Sequence, residues 1–116
     1  MKQNFEITAG DTVPVIVTIS DDSGAAVNLT GASARWAAAP GTPRRFGSPV
    51  ITKDPGAGIA ITNAAAGELT VTLEPADTEA LSGDYFHELQ VTDSSGSITT
   101  PLSGLMTVNR PLVRPA

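Results

Sequence analysis

Thr12-Val13-Pro14-Val15-Ile16-Val17-Thr18-Ile19-Ser20, closed by Asp21-Asp22-Ser23-Gly24, is the stretch on which the fold reading turns. Val13, Val15, Val17 and Ile19 fall on one side of an extended chain, and Thr12, Pro14, Ile16, Thr18 and Ser20 on the other. A period of two is the signature of a strand with one face on a core. Pro14 has no amide hydrogen to give to a ladder, so this strand is expected at a sheet edge or at a bulge. Asp and Gly tolerate the backbone of a tight turn, which makes Asp21 to Gly24 a hairpin turn.

The same turn chemistry returns as Asp93-Ser94-Ser95-Gly96, and the same alternation returns along the chain. Ala32 to Ala39 sets Ala32, Ala34, Trp36 and Ala38 on one face, with Trp36 the central aromatic of the core. Short strands are predicted at Val50 to Lys53 and Gly58 to Thr62, parted by the turn Asp54-Pro55-Gly56. Leu69, Val71 and Leu73 alternate with Thr70, Thr72 and Glu74. From Asp84 to Thr92, Tyr85, His87, Leu89 and Val91 oppose Phe86, Glu88 and Gln90. The last strand, about Ser97 to Asn109, puts Leu102, Gly104, Met106 and Val108 together. Pro75 to Leu81 is the one helical piece, with Pro early and acids in its first turn.

Seven or eight strands at this turn spacing predict an all-β, immunoglobulin-like antiparallel β-sandwich with one short helix. Its expected extent is residues 1–109, followed by an extended arm, Arg110 to Ala116, too rich in proline to continue a sheet. The expected core is Val13, Val15, Val17, Ile19, Trp36, Ile59, Ile61, Leu69, Val71, Leu73, Leu81, Tyr85, Leu89, Val91, Met106 and Val108.

Composition excludes whole classes of function. The 116 residues are one domain's worth of chain, and a 41% hydrophobic content suits a packed core. With no Cys, disulfides, thiolate nucleophiles and Cys-type zinc sites are excluded. Seven Lys and Arg against twelve Asp and Glu give a net charge of −5, the wrong balance for a phosphate-facing surface, so no nucleic acid is expected as partner. No apolar run reaches the roughly 18 residues of a membrane span, and Met1 to Glu6 lacks the apolar stretch of a signal peptide, so no membrane partner is expected either.

The reactive side chains have plainer explanations than catalysis. His87 is the one imidazole, and a general base or metal ligand there has neither nucleophile nor orienting partner in view. Glu74, Asp77, Glu79 and Asp84 read as acids favourable to a short helix and a solvated turn, not as a glycosidase pair. Asp21, Asp22 and Asp93 offer hard oxygens of the kind Ca²⁺ takes, but their spacing matches no EF-type loop and turn formation accounts for them. No catalytic, metal or cofactor site is expected.

Contact is the chemistry the sequence offers. Pro40 to Pro49 breaks the strand period, reads as a loop, and carries Arg44, Arg45 and Phe46, residue types enriched where proteins meet. Leu112 and Val113, set between Arg110, Arg114 and prolines, fit an arm lying along a neighbouring subunit. Phe5, in an exposed Phe5-Glu6-Ile7 start, is placed to join a neighbour's sheet edge.

The run Ile61-Thr62-Asn63-Ala64-Ala65-Ala66-Gly67-Glu68-Leu69-Thr70-Val71-Thr72-Leu73, the short helix ending at Leu81, and Gly83-Asp84-Tyr85 leading to Leu89-Gln90-Val91-Thr92-Asp93 make a distinctive order. With Gly10-Asp11-Thr12 and Val27-Asn28-Leu29-Thr30-Gly31-Ala32, they resemble the N-terminal immunoglobulin-like domain of phage BppU-type baseplate upper proteins and related small stand-alone virion proteins. The resemblance covers about residues 5 to 108. It implies a non-enzymatic component of a tailed bacteriophage virion, made in the host cytoplasm, that docks to capsid, connector or tail proteins and forms homo-oligomers in the particle. It brings no catalytic residues, and the fibre or receptor-binding parts of longer members are expected to be absent. The competing expectation is a carbohydrate-binding or host-surface adhesion module, since sandwiches carry such sites at their loop ends.

Overall fold

The computed structural model describes residues 4–21, 23–42 and 44–112. Nine strands follow in chain order: β1 Phe5–Thr8, β2 Val13–Thr18, β3 Ser33–Thr42, β4 Arg45–Phe46, β5 Ile51–Pro55, β6 Gly58–Asn63, β7 Glu68–Leu73, β8 Gly83–Thr92 and β9 Ile98–Asn109. A 3₁₀ turn, Ala64–Ala66, precedes β7, and one helical turn, α1 Pro75–Thr78, precedes β8. The molecule is all-β, as the alternation predicts.

The hydrogen-bonded order β1-β9-β8-β3-β5-β6-β7-β2, with β4 on β3, curls into a nearly barrel-shaped mixed sheet. β5 joins its halves, pairing with β3 at Ile51 to Lys53 and with β6 at Asp54 and Pro55. The expected antiparallel pairing holds between β2 and β7, β3 and β8, and β8 and β9. Two pairs run parallel instead, β1 with β9 and β5 with β6. Alternation fixes which face a residue occupies but not the direction of its neighbour, so the sequence carried no signal for these.

β2 is indeed an edge strand, and Pro14 lies opposite Thr72 within its ladder to β7. A proline there leaves the outer edge short of one donor, a standard block against further pairing.

The core gathers Trp36, Leu69, Val71, Leu73, Tyr85, Leu89, Val91, Met106 and Val108 as predicted, with Val17, Ile19 and Ile59. Val13, Val15 and Leu81 are half-buried. Ile61 is a correction: it is 36% exposed, because the β6·β7 register shifts between Ala60 and Asn63 and the bulge turns the alternation out of phase. Leu29, Ile51, Ile7 and Leu102 complete the core, Leu29 from the connection before β3. Among the described residues, no helix is long and apolar enough to cross a membrane.

One charged pair is built into this interior. Lys53, on the core side of β5 and only 8% exposed, places Nζ 2.6 Å from Oδ2 of Asp77 in α1. The same oxygen accepts the Glu74 amide at 2.7 Å, so one carboxylate caps the helical turn and neutralises the buried ammonium. The stem of Lys53 runs over Gly58, where a Cβ would collide with it.

Candidate functional site

Pro40 to Pro49 is not the open loop its composition predicts. β3 continues to Thr42, and the chain returns as β4, pairing Gly41 with Phe46 and Thr42 with Arg45. The hairpin closes through Gly47 N–H donating to the Pro40 carbonyl at 2.9 Å and Val50 N–H donating to the Ala38 carbonyl at 2.8 Å. Gly41, at φ +121°, is what lets the return strand approach: a Cβ there would strike the carbonyl oxygen of Arg45. Pro and Gly break the side-chain period without ending the strand, which is why the hairpin reads as a loop.

The hairpin presents Phe46 on the outer face of the sheet. Its ring is 55% exposed and lies on Phe86 of β8, with centroids 5.1 Å apart and planes at 34°. Phe86 points away from the core, yet the hairpin, Ala37 and Ala39 leave little of it open. Pro49 and Glu88 border the same hollow, and Val50 is exposed beside them. Arg44 and Arg45 are exposed, and among the described residues neither they nor Glu88 makes an ion pair. The neighbouring Arg35 is already held by Asp54 at 2.8 Å.

The register of β3, β8 and β9 brings the hairpin and the start of the C-terminal segment to one end of the sheet, since Pro40 pairs with Tyr85 and Gly83 with Val108. Arg110 is exposed there and lines a hollow with Gly10, Glu79 and Leu81. Leu112 is fully exposed. Val113 and Arg114 lie outside the described residues.

Phe5 does not join this surface. β1 lies on β9, and the Phe5 ring packs on the core with its edge to His87, centroids 5.0 Å apart. Because His87 and Phe86 are consecutive on a strand, they face opposite sides of the sheet, and so do Phe5 and Phe46. The exposed start expected of Phe5 is therefore corrected: its ring is committed within its own chain.

His87 is 1% exposed and accepts a hydrogen bond at Nδ1 from the indole N–H of Trp36, 3.3 Å away. An indole only donates, so this ring nitrogen is the unprotonated one. Asp77 is bound to Lys53, and Asp84 accepts from the Thr107 hydroxyl at 2.8 Å. Asp21 and Asp93 each turn Oδ1 inward on their own turn, to Ser23 and Ala25 and to Ser95 and Ser97 respectively. The serine hydroxyl, then backbone amides, hold each carboxyl below its ordinary range. Among the described residues, no three His, Asp or Glu converge as a metal site would require.

Glu88 is the member of the surface that the sequence pattern does not single out, whereas Phe86 enters the sequence reading only as a thin aromatic pair with Phe46 in the adhesion alternative; alternation against Tyr85 and His87 assigns both to the outer face. Compared with protein-family models and with curated protein sequences, the chain matches none.

Proposed function

We propose that this chain is a structural subunit of a tailed bacteriophage particle that works by association and not by catalysis. The observation that carries the contact role is Phe46: a ring more than half exposed, fixed in place by a hairpin and a second ring, and preceded in the chain by two exposed arginines that make no ion pair among the described residues. Arg and aromatic side chains held in this way are typical anchors of protein–protein contacts. The particle assignment rests on the order of motifs shared with the phage immunoglobulin-like domains.

The finer fold reading belongs to the same proposal. We take the curled sheet as an immunoglobulin-like sandwich, and the strand order supports it. β1 runs parallel beside the last strand, β9-β8-β3-β5 form one layer, and β6-β7-β2 form the other. The subunit is made in the host cytoplasm and ends in the virion, bound to capsid, connector or tail proteins through the hairpin face and the C-terminal segment.

Immunogold electron microscopy of purified particles with an antibody to this chain tests the assignment. Label over the heads means capsid decoration, and label at the neck or tail tip means a connector or baseplate position. Particles without label would remove the virion reading. The same ring stack favours one other reading, a carbohydrate-binding or host-surface adhesion module with Phe46 as a sugar platform. Glycan-array binding that is lost in Phe46→Ala would decide for it.

A further inference from the structure

We infer that the hollow between Phe46 and Phe86 receives an arginine side chain presented by a partner protein, an inference that rests on the contact role given to Phe46 above. The two rings and Pro49 wall the hollow, Ala37 and Ala39 lie beneath it, and Glu88 stands at its border. It measures about 70 Å³, well below the roughly 300–1,000 Å³ of pockets that enclose small molecules, so it suits the head of one side chain. Two of its walls are aromatic rings, whose faces attract cations, and its one ionisable group is the Glu88 carboxylate. A guanidinium answers both at once, because its plane stacks on a ring while its edge donates to a carboxylate; an ammonium has no plane to stack. Phe86 is nearly covered and Phe46 is more than half exposed, so the stacking falls to Phe46.

The charges of the surrounding layer point the same way. Along β8, Asp84 and Glu88 stand two residues either side of Phe86 and share its face, each about 7 Å away along the strand. Glu6 of β1 joins them, level with Asp84 through Thr107 of β9, and Leu105 opposite Phe86 extends the apolar centre. Among the described residues, none of these three carboxylates makes an ion pair. The strands of the layer, β1, β3, β4, β5, β8 and β9, carry Arg35, Arg45 and Lys53, and none of them is placed to answer these acids. Arg35 is held by Asp54 at 2.8 Å, Lys53 points inward to Asp77, and Arg45, consecutive with Phe46, lies on the opposite face. The outer face is thus an aromatic centre between carboxylates, and electrostatic complementarity selects a partner that brings positive charge to it.

Titration of the full, isotope-labelled chain with the tripeptide acetyl-Gly-Arg-Gly-amide, followed by NMR, reads the site directly. The signals of Phe46, Phe86 and Glu88 are expected to shift saturably with a Kd on the order of millimolar, as suits one anchoring side chain. They should stay in place with the citrulline tripeptide, which keeps the shape of arginine and lacks its charge. Glu88→Gln and Phe46→Leu, each with an unchanged circular dichroism spectrum, should raise the Kd about fivefold or more. Equal shifts with the citrulline peptide, shifts centred away from the hollow, or a Kd indifferent to both variants would overturn the assignment. A monosaccharide that moves the same signals where arginine moves none would overturn it in favour of the adhesion reading. Self-association of the chain that disappears in Glu88→Gln would overturn it too, by placing a second copy in the hollow. Particle labelling is independent of these results: virions that label although the hollow ignores arginine refute this site and leave the assembly role standing.

Discussion

Trp36 and His87 are joined side chain to side chain across β3 and β8, the indole N–H donating to Nδ1 at 3.3 Å with the rings 5.8 Å apart. Phe5 closes the other side of the imidazole, so the chain's one histidine sits among aromatics in the core. Trp36→Ala removes both a large buried ring and the donor to Nδ1, and is expected to cost about 3–5 kcal/mol. Trp36→Phe keeps most of the ring and drops the donor, for a loss of about 1–3 kcal/mol. Urea denaturation measures both, and midpoints unchanged from the wild type would remove Trp36 from the centre of the core.

The Lys53–Asp77 pair should respond unequally to loss of its two members. Asp77→Ala leaves an ammonium in the interior and also uncaps α1, so it is expected to destabilise by about 3–5 kcal/mol. Lys53→Met keeps the stem that packs over Gly58 and removes the charge, while half-buried Asp77 keeps its bond from the Glu74 amide. Replacing a buried charge by an apolar side chain of similar shape is close to neutral, so a change within about 1 kcal/mol is expected. Equal losses in the two variants, by the same denaturation measurement, would contradict this account.

Acid should loosen the two Asp-led turns. Asp21 and Asp93 are held below the ordinary carboxyl range, first by the hydroxyls of Ser23 and Ser95 and then by the turn amides. A carboxyl whose folded pKa lies below its unfolded value contributes stability above the unfolded value and loses it as pH falls through the folded one. The window is therefore below about pH 4, with no effect at neutrality. In Asp21→Asn and Asp93→Asn the amide oxygen still serves the turn, so the acid limb of the stability–pH curve should flatten in the double variant. An acid limb as steep as that of the wild type would show that other carboxyls set it.

What was legible in the sequence follows from what alternation encodes. A period of two told the inner from the outer face along β2, β3, β7, β8 and β9, and so located Trp36, Leu89 and Met106 in the core. It also set Phe86 on the outer face, although its role there depended on a hairpin read as a loop. Alternation said nothing about strand direction, so β1 on β9 was unseen, and with it the burial of Phe5. It failed at Ile61, where a bulge shifts the phase; at Ile51 and Lys53 the period holds and both face inward, although the expected core contains neither. The ion pair joins residues of β5 and α1 that are brought together only by the fold.

Gly41 tests whether the contact face depends on the hairpin. At φ +121°, with no room for a Cβ against Arg45, alanine there is strained twice, by its own backbone and by the returning strand. Gly41→Ala should force β4 away from β3 at a local cost of about 1–3 kcal/mol. Since β4 is two residues long and neither of them belongs to the core, the core has little to lose. Hydrogen exchange is the measurement: the Gly47 amide, bonded to the Pro40 carbonyl, should lose protection while the amides of β8 and β9 keep theirs. If the Gly47 amide stayed protected, the hairpin would not need glycine at this position.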